Sequence, residues 1–339
     1  MKEKTLVKRA IVTGAAGWLG RGLVNALGSA EPSNGIRAMD LPECVSALKP
    51  AGGNVEVLTG DVRDVEGCRR LMRGGEGATL FHLAGIIHPR RVREFYAINL
   101  QGTINVLAAA REAGVRRAVI VSSNSPLGCN PHPDHLFDEE SPYHPYMNYG
   151  RSKMLMEQHV HSLQAAGGLE TVLIRAPWFY GPFQPPRQKL FFNMVRDGKA
   201  PIVGGGENLR SMAYIDNLAQ GLLLAASVPK AAGQTYWIAD RRPYSMNEIV
   251  DTIERLLETE FGQRCAHRRL RLPGIASDIA WCGDWLIQTL GAYEQKLHVL
   301  SEMNKTIACS IGKAERELGY DPQISLEEGM RRSLAEAFS

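Results

Sequence analysis

Nine residues, Val12-Thr13-Gly14-Ala15-Ala16-Gly17-Trp18-Leu19-Gly20, constrain the fold of this chain more than any others. Ahead of them, residues 7–12 form a basic, then apolar run that reads as a β-strand. Behind them, residues 21–27 carry apolar positions at helical spacing. The glycines therefore fall on a strand-to-helix turn. A dinucleotide fold needs that context: a tight turn, close backbone approach to a pyrophosphate, and a helix N-terminus facing the phosphates. The spacing is Gly-x-x-Gly-x-x-Gly rather than Gly-x-Gly-x-x-Gly, and a glycine-rich turn without a ligand is the competing reading. Roughly twenty residues on, where the fingerprint expects an acid, residues 36–40 read as a second strand ending in Asp40. A carboxylate there accepts hydrogen bonds from ribose hydroxyls and repels a 2′-phosphate. NAD is thus favoured over NADP, with Arg37 as the residue that speaks the other way.

Strands and helices alternate through the first half. Further strands are expected at 55–58, 78–83, 117–121 and 169–174, with helices at 64–73, 90–113 and 147–167. This alternation predicts an α/β fold, a Rossmann-type doubly wound parallel sheet with helices on both faces. After Arg175 the character changes. Pro177, Pro182, Pro185, Pro186 and Pro201 break the chain, and helices are expected at 188–198, 214–228, 245–259, 277–302 and 310–318. The reading is an NAD-binding domain over residues 1–176 that carries the catalytic residues. A smaller, mainly helical substrate region follows over 177–339, with some segments returning to the sheet. Residues 126–145, rich in Pro and His, are expected to form a surface loop.

Charge and cysteine usage narrow the class. A net charge of +3 with 22% charged residues leaves no basic stripe, so nucleic acid is not an expected partner. Six cysteines, at 44, 68, 129, 265, 282 and 309, lack paired metal spacing, as in a reduced cytoplasmic protein. Residues 1–5 lead straight into the first strand, without a secretory segment. Residues 275–300 contain Asp278, Asp284, Glu294 and Lys296, too many charges for a membrane span. Trp281 and Trp285 lie four apart there, and are expected to pack on the substrate region rather than on a membrane surface. Cys129, His132, His135 and Asp138 have a spacing that reaches a metal. A lid over the active site is the preferred reading of that loop, and no metal is expected.

Tyr149-Gly150-Arg151-Ser152-Lys153 supplies the chemistry. In a helix, residues four apart share a face, so Tyr149 and Lys153 reach one bound molecule. An ammonium beside a phenol favours the phenolate, giving an acid/base for a secondary alcohol.

With these residues the chain resembles the extended short-chain dehydrogenases/reductases, the superfamily of NAD-dependent epimerases and dehydratases, over nearly its whole length. Thr13-Gly14-x-x-Gly17-x-x-Gly20 matches the family's nucleotide loop, and Asp61-Val62 its adenine contact. His82-Leu83-Ala84-Gly85 matches the segment under the cofactor, and Asn99 the asparagine of the following helix. Ser123, Tyr149 and Lys153 match the catalytic set, and residues 175–182 the loop over the nicotinamide. The resemblance implies that Tyr149 moves the proton, Ser123 hydrogen-bonds the substrate oxygen, and Lys153 holds the ribose and tunes Tyr149. Around the cofactor it implies Gly14, Gly17, Trp18, Leu19, Gly20, Asp40, Asp61, Val62, Leu83, Ala84, Gly85, Asn99, Ser122, Tyr149, Lys153, Ala176, Pro177 and Trp178. For Ser122, hydrogen bonding to backbone at the strand end is preferred to catalysis. For Asn99 a structural role is preferred, through a helix irregularity or a water. A homodimer through the helices near 90–113 and 147–167 is a further implication.

Two branches of the superfamily remain open. Residues 204–217 resemble a nucleotide-sugar segment in which Arg210 meets the substrate pyrophosphate, work suited to a planar guanidinium. Trp178 stands where such enzymes have Asn, however, and their second phosphate arginine is absent. Residues 272–303 instead resemble the 3β-hydroxysteroid dehydrogenase-like branch. Dehydratase chemistry is disfavoured, because Asn124 and Ser125 replace its Asp-Glu pair. The expected substrate contacts are Asn124, Trp178 and Arg210. The leading expectation is an epimerase or dehydrogenase of a nucleotide sugar. The alternatives are an oxidoreductase of an apolar alcohol or ketone, and a non-catalytic NAD-binding sensor.

Overall fold

The computed structural model describes residues 7, 9–30, 35–48 and 54–338. The stretch 1–5 and Lys8 of the expected first strand lie outside these. The first half contains β1 (Arg9–Thr13), α1 (Trp18–Ala30), β2 (Gly35–Asp40), β3 (Asn54–Thr59), α2 (Val65–Met72), β4 (Thr79–His82), α3 (Val92–Glu94), α4 (Thr103–Glu112), β5 (Arg117–Ser123), α5 (Met147–Ala166) and β6 (Glu170–Ala176). Next come β7 (Trp178–Tyr180), α6 (Pro186–Arg196), β8 (Pro201–Val203), β9 (Leu209–Arg210), β10 (Met212–Tyr214), α7 (Ile215–Ser227), β11 (Thr235–Trp237), β12 (Tyr244–Ser245) and α8 (Met246–Thr259). Last are β13 (Leu270–Leu272), α9 (Ile275–Thr289), α10 (Gln295–Glu302), α11 (Gly312–Leu318) and α12 (Leu326–Phe338).

Seven parallel strands form the main sheet in the order β3-β2-β1-β4-β5-β6-β11. This is the Rossmann-type doubly wound topology. Its strand order reverses between β1 and β4, so a crevice opens at their carboxyl ends. The central strands are buried on both faces, which is why they read as continuous apolar runs. At that crevice Gly14 has φ +69°, and a Cβ there would lie 2.6 Å from the amide nitrogen of Ala84. A Cβ on Gly20 would lie 2.1 Å from the Gly14 carbonyl oxygen. Both positions exclude any larger side chain, because backbone cannot yield at those distances.

The C-terminal half is woven into this sheet. β11 pairs with β6, and α7 packs on α1. A second apolar core, with Phe192, Ile202, Ile253, Leu257, Met330 and Leu334 buried, joins α6, β8, α8 and α12. Two expectations change here. The helix expected over 277–302 is two helices, broken around Gly291, whose φ is +80°. Residues 126–145 are not a free surface loop. Leu127 and Phe137 are buried, and the backbone of Asn130 and Phe137 is hydrogen-bonded to Thr306, Ala308 and Ser310. The segment is thus pinned at Asn130 and Phe137 rather than hinged as a lid, with residues 131–134 exposed between them.

Candidate active site

The loop between β1 and α1 could hold a pyrophosphate. A Cβ on Gly17 would meet only the Gly14 carbonyl oxygen, at 3.1 Å, so its outer side faces no other protein atom within 4 Å. No acidic residue occupies the first turn of α1, which leaves the positive end of the helix uncompensated. At the end of β2, the Asp40 carboxylate accepts from the amides of Ala16 and Leu41, each at 2.8 Å. Arg37 points elsewhere. Its guanidinium is bound to Glu56 and to the carbonyls of Leu71 and Arg73. Asp61 is held by Arg63, and that guanidinium keeps its carboxyl below the usual carboxylate range. Trp18 donates from its indole to the Pro182 carbonyl at 2.7 Å, tying the glycine loop to the segment after β7.

Under the crevice, His82 is fully buried between Thr13 Oγ1 at 2.7 Å and Thr103 Oγ1 at 2.8 Å. The Thr103 hydroxyl donates to the Asn99 carbonyl, so it must accept from His82 Nε2–H. Nδ1 is then the bare acceptor for Thr13. Burial pushes this imidazole down to about 3, so it is neutral. Residues Phe95–Gly102 form a π-helix, an irregularity that brings the Asn99 side chain onto Ile86. Its oxygen accepts from the Ile86 amide at 2.8 Å and its nitrogen donates to the Ile86 carbonyl at 3.0 Å. Asn99 therefore fixes the strand exit at residues 83–86.

Ser123, at the end of β5, is in hydrogen-bond contact with the phenol of Tyr149 on α5. Its other contacts, to Asn124 Oδ1, Ser125 N and Ser125 Oγ, are long, at 3.3–3.4 Å, so the hydroxyl is loosely held. Lys153 lies one turn after Tyr149. Its ammonium donates to the Val121 carbonyl at 3.1 Å. A Cβ on Gly85 would lie 3.4 Å from Nζ, so the glycine leaves the ammonium room. Burial pushes Lys153 down to about 8 and Tyr149 up to about 12. The phenolate expected from the Tyr-Lys spacing is not what the chain alone provides: burial outweighs the pull of Ser123, and Tyr149 is a neutral donor. Ser122 also departs from expectation. Its hydroxyl is buried with no hydrogen-bond partner, backbone or side chain, among the described residues. An orphaned hydroxyl, an open glycine turn and a helix start without an acidic residue together fit a dinucleotide.

Trp178 is half-buried against Phe191, with ring centroids 5.8 Å apart. Arg210 is turned back on the protein, donating to the Glu302 carbonyl at 2.5 Å, while its Nε is buried without a partner among the described residues. Cys129, His132, His135 and Asp138 do not converge. His135 pairs with Asn130, and no group of three or more His, Cys, Asp or Glu that could hold a metal exists among the described residues.

The sequence pattern of the NAD dependent epimerase/dehydratase family matches residues 10–239. The chain belongs to this family. It is 53% identical over 333 residues, 96% of this chain and 93% of the relative, to the uncharacterized protein y4nL of Sinorhizobium fredii. It is 30% identical over 357 residues, 97% of this chain and 90% of the relative, to a 3 beta-hydroxysteroid dehydrogenase/Delta 5-->4-isomerase of Mycobacterium tuberculosis. Among solved structures, UDP-glucose 4-epimerase of Thermotoga maritima matches with a TM-score of 0.76 at 22% identity, covering 97% of this chain and 98% of that one. At that identity the likeness speaks for the fold alone.

This epimerase-family protein also has a roof over Tyr149 that the sequence reading missed. Phe95 packs on Tyr149 at 5.6 Å between centroids, and Tyr293, in the turn between α9 and α10, packs on Phe95 at 5.4 Å. The Tyr293 hydroxyl is 2.7 Å from His88 Nδ1. A polar chain runs outward from the residue beside Tyr149. Asn148 donates to Gln288, Gln288 donates to Asp284, and Asp284 meets His298 Nδ1 at 2.8 Å. Ser277, Asp284 and Gln288 recur at helical spacing on one face of α9, a signal that could have found this roof. Burial pulls the His298 pKa down, but the Asp284 bond and the Glu302 charge together raise it above its ordinary value. A raised folded-state pKa stabilises the fold fully below the unfolded value of ~6.5, and the gain is lost as pH climbs past it. The melting-temperature gap between wild type and His298→Gln is expected to be widest below about pH 6.5 and to shrink as pH rises. Thermal melts across pH 5–9 check it, and a gap independent of pH would mean that His298 titrates alike in the folded and unfolded chain.

Proposed function

We propose that this protein catalyses NAD-dependent hydride transfer at a secondary alcohol or ketone carbon of a bulky, apolar substrate, with Tyr149 as the acid/base. NAD, when bound, accepts or supplies the hydride. Gly14, Gly17 and Gly20 with the start of α1 receive the pyrophosphate, Asp40 the adenosine ribose, and Lys153 the nicotinamide ribose. Arg37, engaged by Glu56 and backbone carbonyls, is not held out toward a 2′-phosphate, which supports NAD over NADP. Tyr149 hands a proton to the substrate oxygen or takes it away, and Ser123, loosely held, turns to hydrogen-bond the same oxygen. Residues 177–339 supply most of the substrate contacts. Six unpaired thiols support a reducing compartment such as the cytoplasm.

The observation that carries the apolar reading is Arg210. A phosphate-binding guanidinium needs a free fork, and this one donates to the Glu302 carbonyl under α10. Trp178 and Phe191 offer aromatic surface in place of a polar contact. The 30%-identical steroid dehydrogenase, aligned over nearly the whole chain, agrees with this. The nucleotide-sugar reading keeps one supporting observation, the unpartnered Arg210 Nε.

One experiment separates the two. Purified protein is incubated with NAD and a panel of 3β-hydroxysteroids and UDP-sugars, and NADH formation and epimer formation are followed. Turnover of a hydroxysteroid that survives Arg210→Ala within about threefold supports the apolar reading, since a guanidinium turned onto the Glu302 carbonyl is not used by an uncharged substrate. Turnover of a UDP-sugar whose KM rises ~10-fold or more on Arg210→Ala, the loss of a charge-assisted hydrogen bond of ~1.5–3 kcal/mol, overturns it. The helices implied in a homodimer expose Arg111, Glu112, Arg151 and Gln158, and sedimentation velocity tests whether they pair.

A further inference from the structure

α9 is built inside out. Its buried residues are Ser277, Ala280, Asp284 and Gln288. Its outer face carries Ile275 at 62% exposure, Ile279 at 66%, Leu286 at 54% and Leu290 at 77%, flanked by Trp281 at 42% and Trp285 at 53%. The expectation that these tryptophans pack on the substrate region is overturned. The inner face is spent on the polar chain that reaches Asn148, so the apolar side is what remains for solvent. A soluble helix normally shows the reverse, and a contiguous exposed apolar stripe marks an interaction surface.

Cations flank both ends of this stripe. Exposed Arg268 and Arg271 precede the helix. At its far end, the Val92 amide donates to the Gly291 carbonyl at 3.1 Å, and Arg91 bridges to Ala292. This contact places exposed Arg90, Arg91 and Arg93 beside the helix C-terminus. None of these five arginines forms an ion pair among the described residues, whereas the one carboxylate on the outer face, Asp278, is paired with Lys305 at 3.0 Å. No helix of the described residues is long and apolar enough to cross a membrane.

We propose that the outer face of α9 lies flat in the headgroup layer of an anionic phospholipid bilayer and holds the protein there as a peripheral membrane protein. Aliphatic side chains enter the acyl boundary, the two indoles sit at headgroup level, and the arginines at both ends meet lipid phosphates. A second copy fits less well. An antiparallel two-fold pairing of α9 sets the basic end of one helix against the basic end of the other. The seat also places the roof of the site against the lipid surface, through Gln288 and Asn148. Binding to the bilayer does not depend on which alcohol the site takes.

Flotation of the full chain with phosphatidylglycerol/phosphatidylcholine vesicles tests the proposal, beside pure phosphatidylcholine vesicles and the same mixtures at high salt. The expected result is co-flotation with the anionic vesicles, weakened by salt and by removal of phosphatidylglycerol. Brominated lipids should quench tryptophan emission in the wild type, because Trp281 and Trp285 are the exposed tryptophans. Combined Ile279→Ser, Leu286→Ser and Leu290→Ser should abolish flotation with the melting temperature retained, and Arg90→Ala with Arg93→Ala should weaken it several-fold. No flotation and no quenching of the wild type would overturn the proposal. So would flotation unchanged in the triple-serine variant, or a wild-type dimer that becomes monomeric in that variant without vesicle binding.

Discussion

Tyr149→Phe is expected to lower turnover by ~10²–10⁴-fold, the span that a positioned acid/base contributes, while leaving NAD affinity nearly unchanged. Burial sets this expectation. Tyr149 is 8% exposed, and its phenol is pushed up to about 12, first by burial, with Ser123 pulling the other way. At neutral pH the residue is a proton donor, the form that a ketone needs in reduction. Oxidation of an alcohol needs the opposite form. Its rate should climb with pH until Lys153 begins to lose its proton near pH 8, while reduction stays flat below that point. The residual rate of Tyr149→Phe should lose that climb. Single-turnover NADH formation and consumption across pH 6–10 separates the two directions. A Tyr149→Phe enzyme that kept full turnover would remove Tyr149 from the chemistry and revive the reading of an NAD-binding sensor.

The fold was legible where its causes are local. Gly14 and Gly20 could be placed from the strand before them and the helix after them, because the distances from their Cβ positions to backbone allow nothing larger. Tyr149 and Lys153 could be paired from helical spacing alone. Their ionisation could not, because the opposing effect is burial, which spacing does not show. α12 was overlooked although Leu326, Met330, Leu334 and Ala337 recur at helical spacing. α9 was misread for a physical reason. Apolar periodicity ordinarily marks the buried face, but here Asp284 and Gln288 are satisfied by hydrogen bonds from His298 and Asn148, residues distant in sequence from at least one of them. A buried polar face requires partners that a local pattern does not reveal. The π-helix at Phe95–Gly102 sits at the other limit: Asn99 pointed to an irregularity, and only the position of Ile86 explains it.

Glu157→Gln is expected to cost ~3–5 kcal/mol of stability, the usual effect of leaving one member of a buried ion pair alone. Glu157 is fully buried, and its carboxylate accepts from Arg175 Nη2 at 2.8 Å and from the Tyr143 hydroxyl at 2.8 Å. The Arg175 guanidinium is itself buried, stacked over the rings of Tyr143 and Trp237. Without Glu157, the Arg175 guanidinium keeps the Glu139 carbonyl, a longer contact at 3.3 Å. An exposed control pair, Arg241 with Asp321, should cost under about 1 kcal/mol when broken. Urea midpoints of the two variants make the comparison, and equal losses would mean that burial does not set the value of the Arg175 pair. The same substitution reaches the site. Glu157 stands one turn beyond Lys153, and its charge raises a lysine that burial pushes down to about 8. Removing that charge lets Lys153 lose its proton at lower pH, so the alkaline limb of the activity profile should move toward neutrality. A variant that is destabilised but keeps the wild-type pH profile would confine Glu157 to the fold. A shifted limb would show that one buried carboxylate both holds β6 to α5 and keeps the neighbouring ammonium charged.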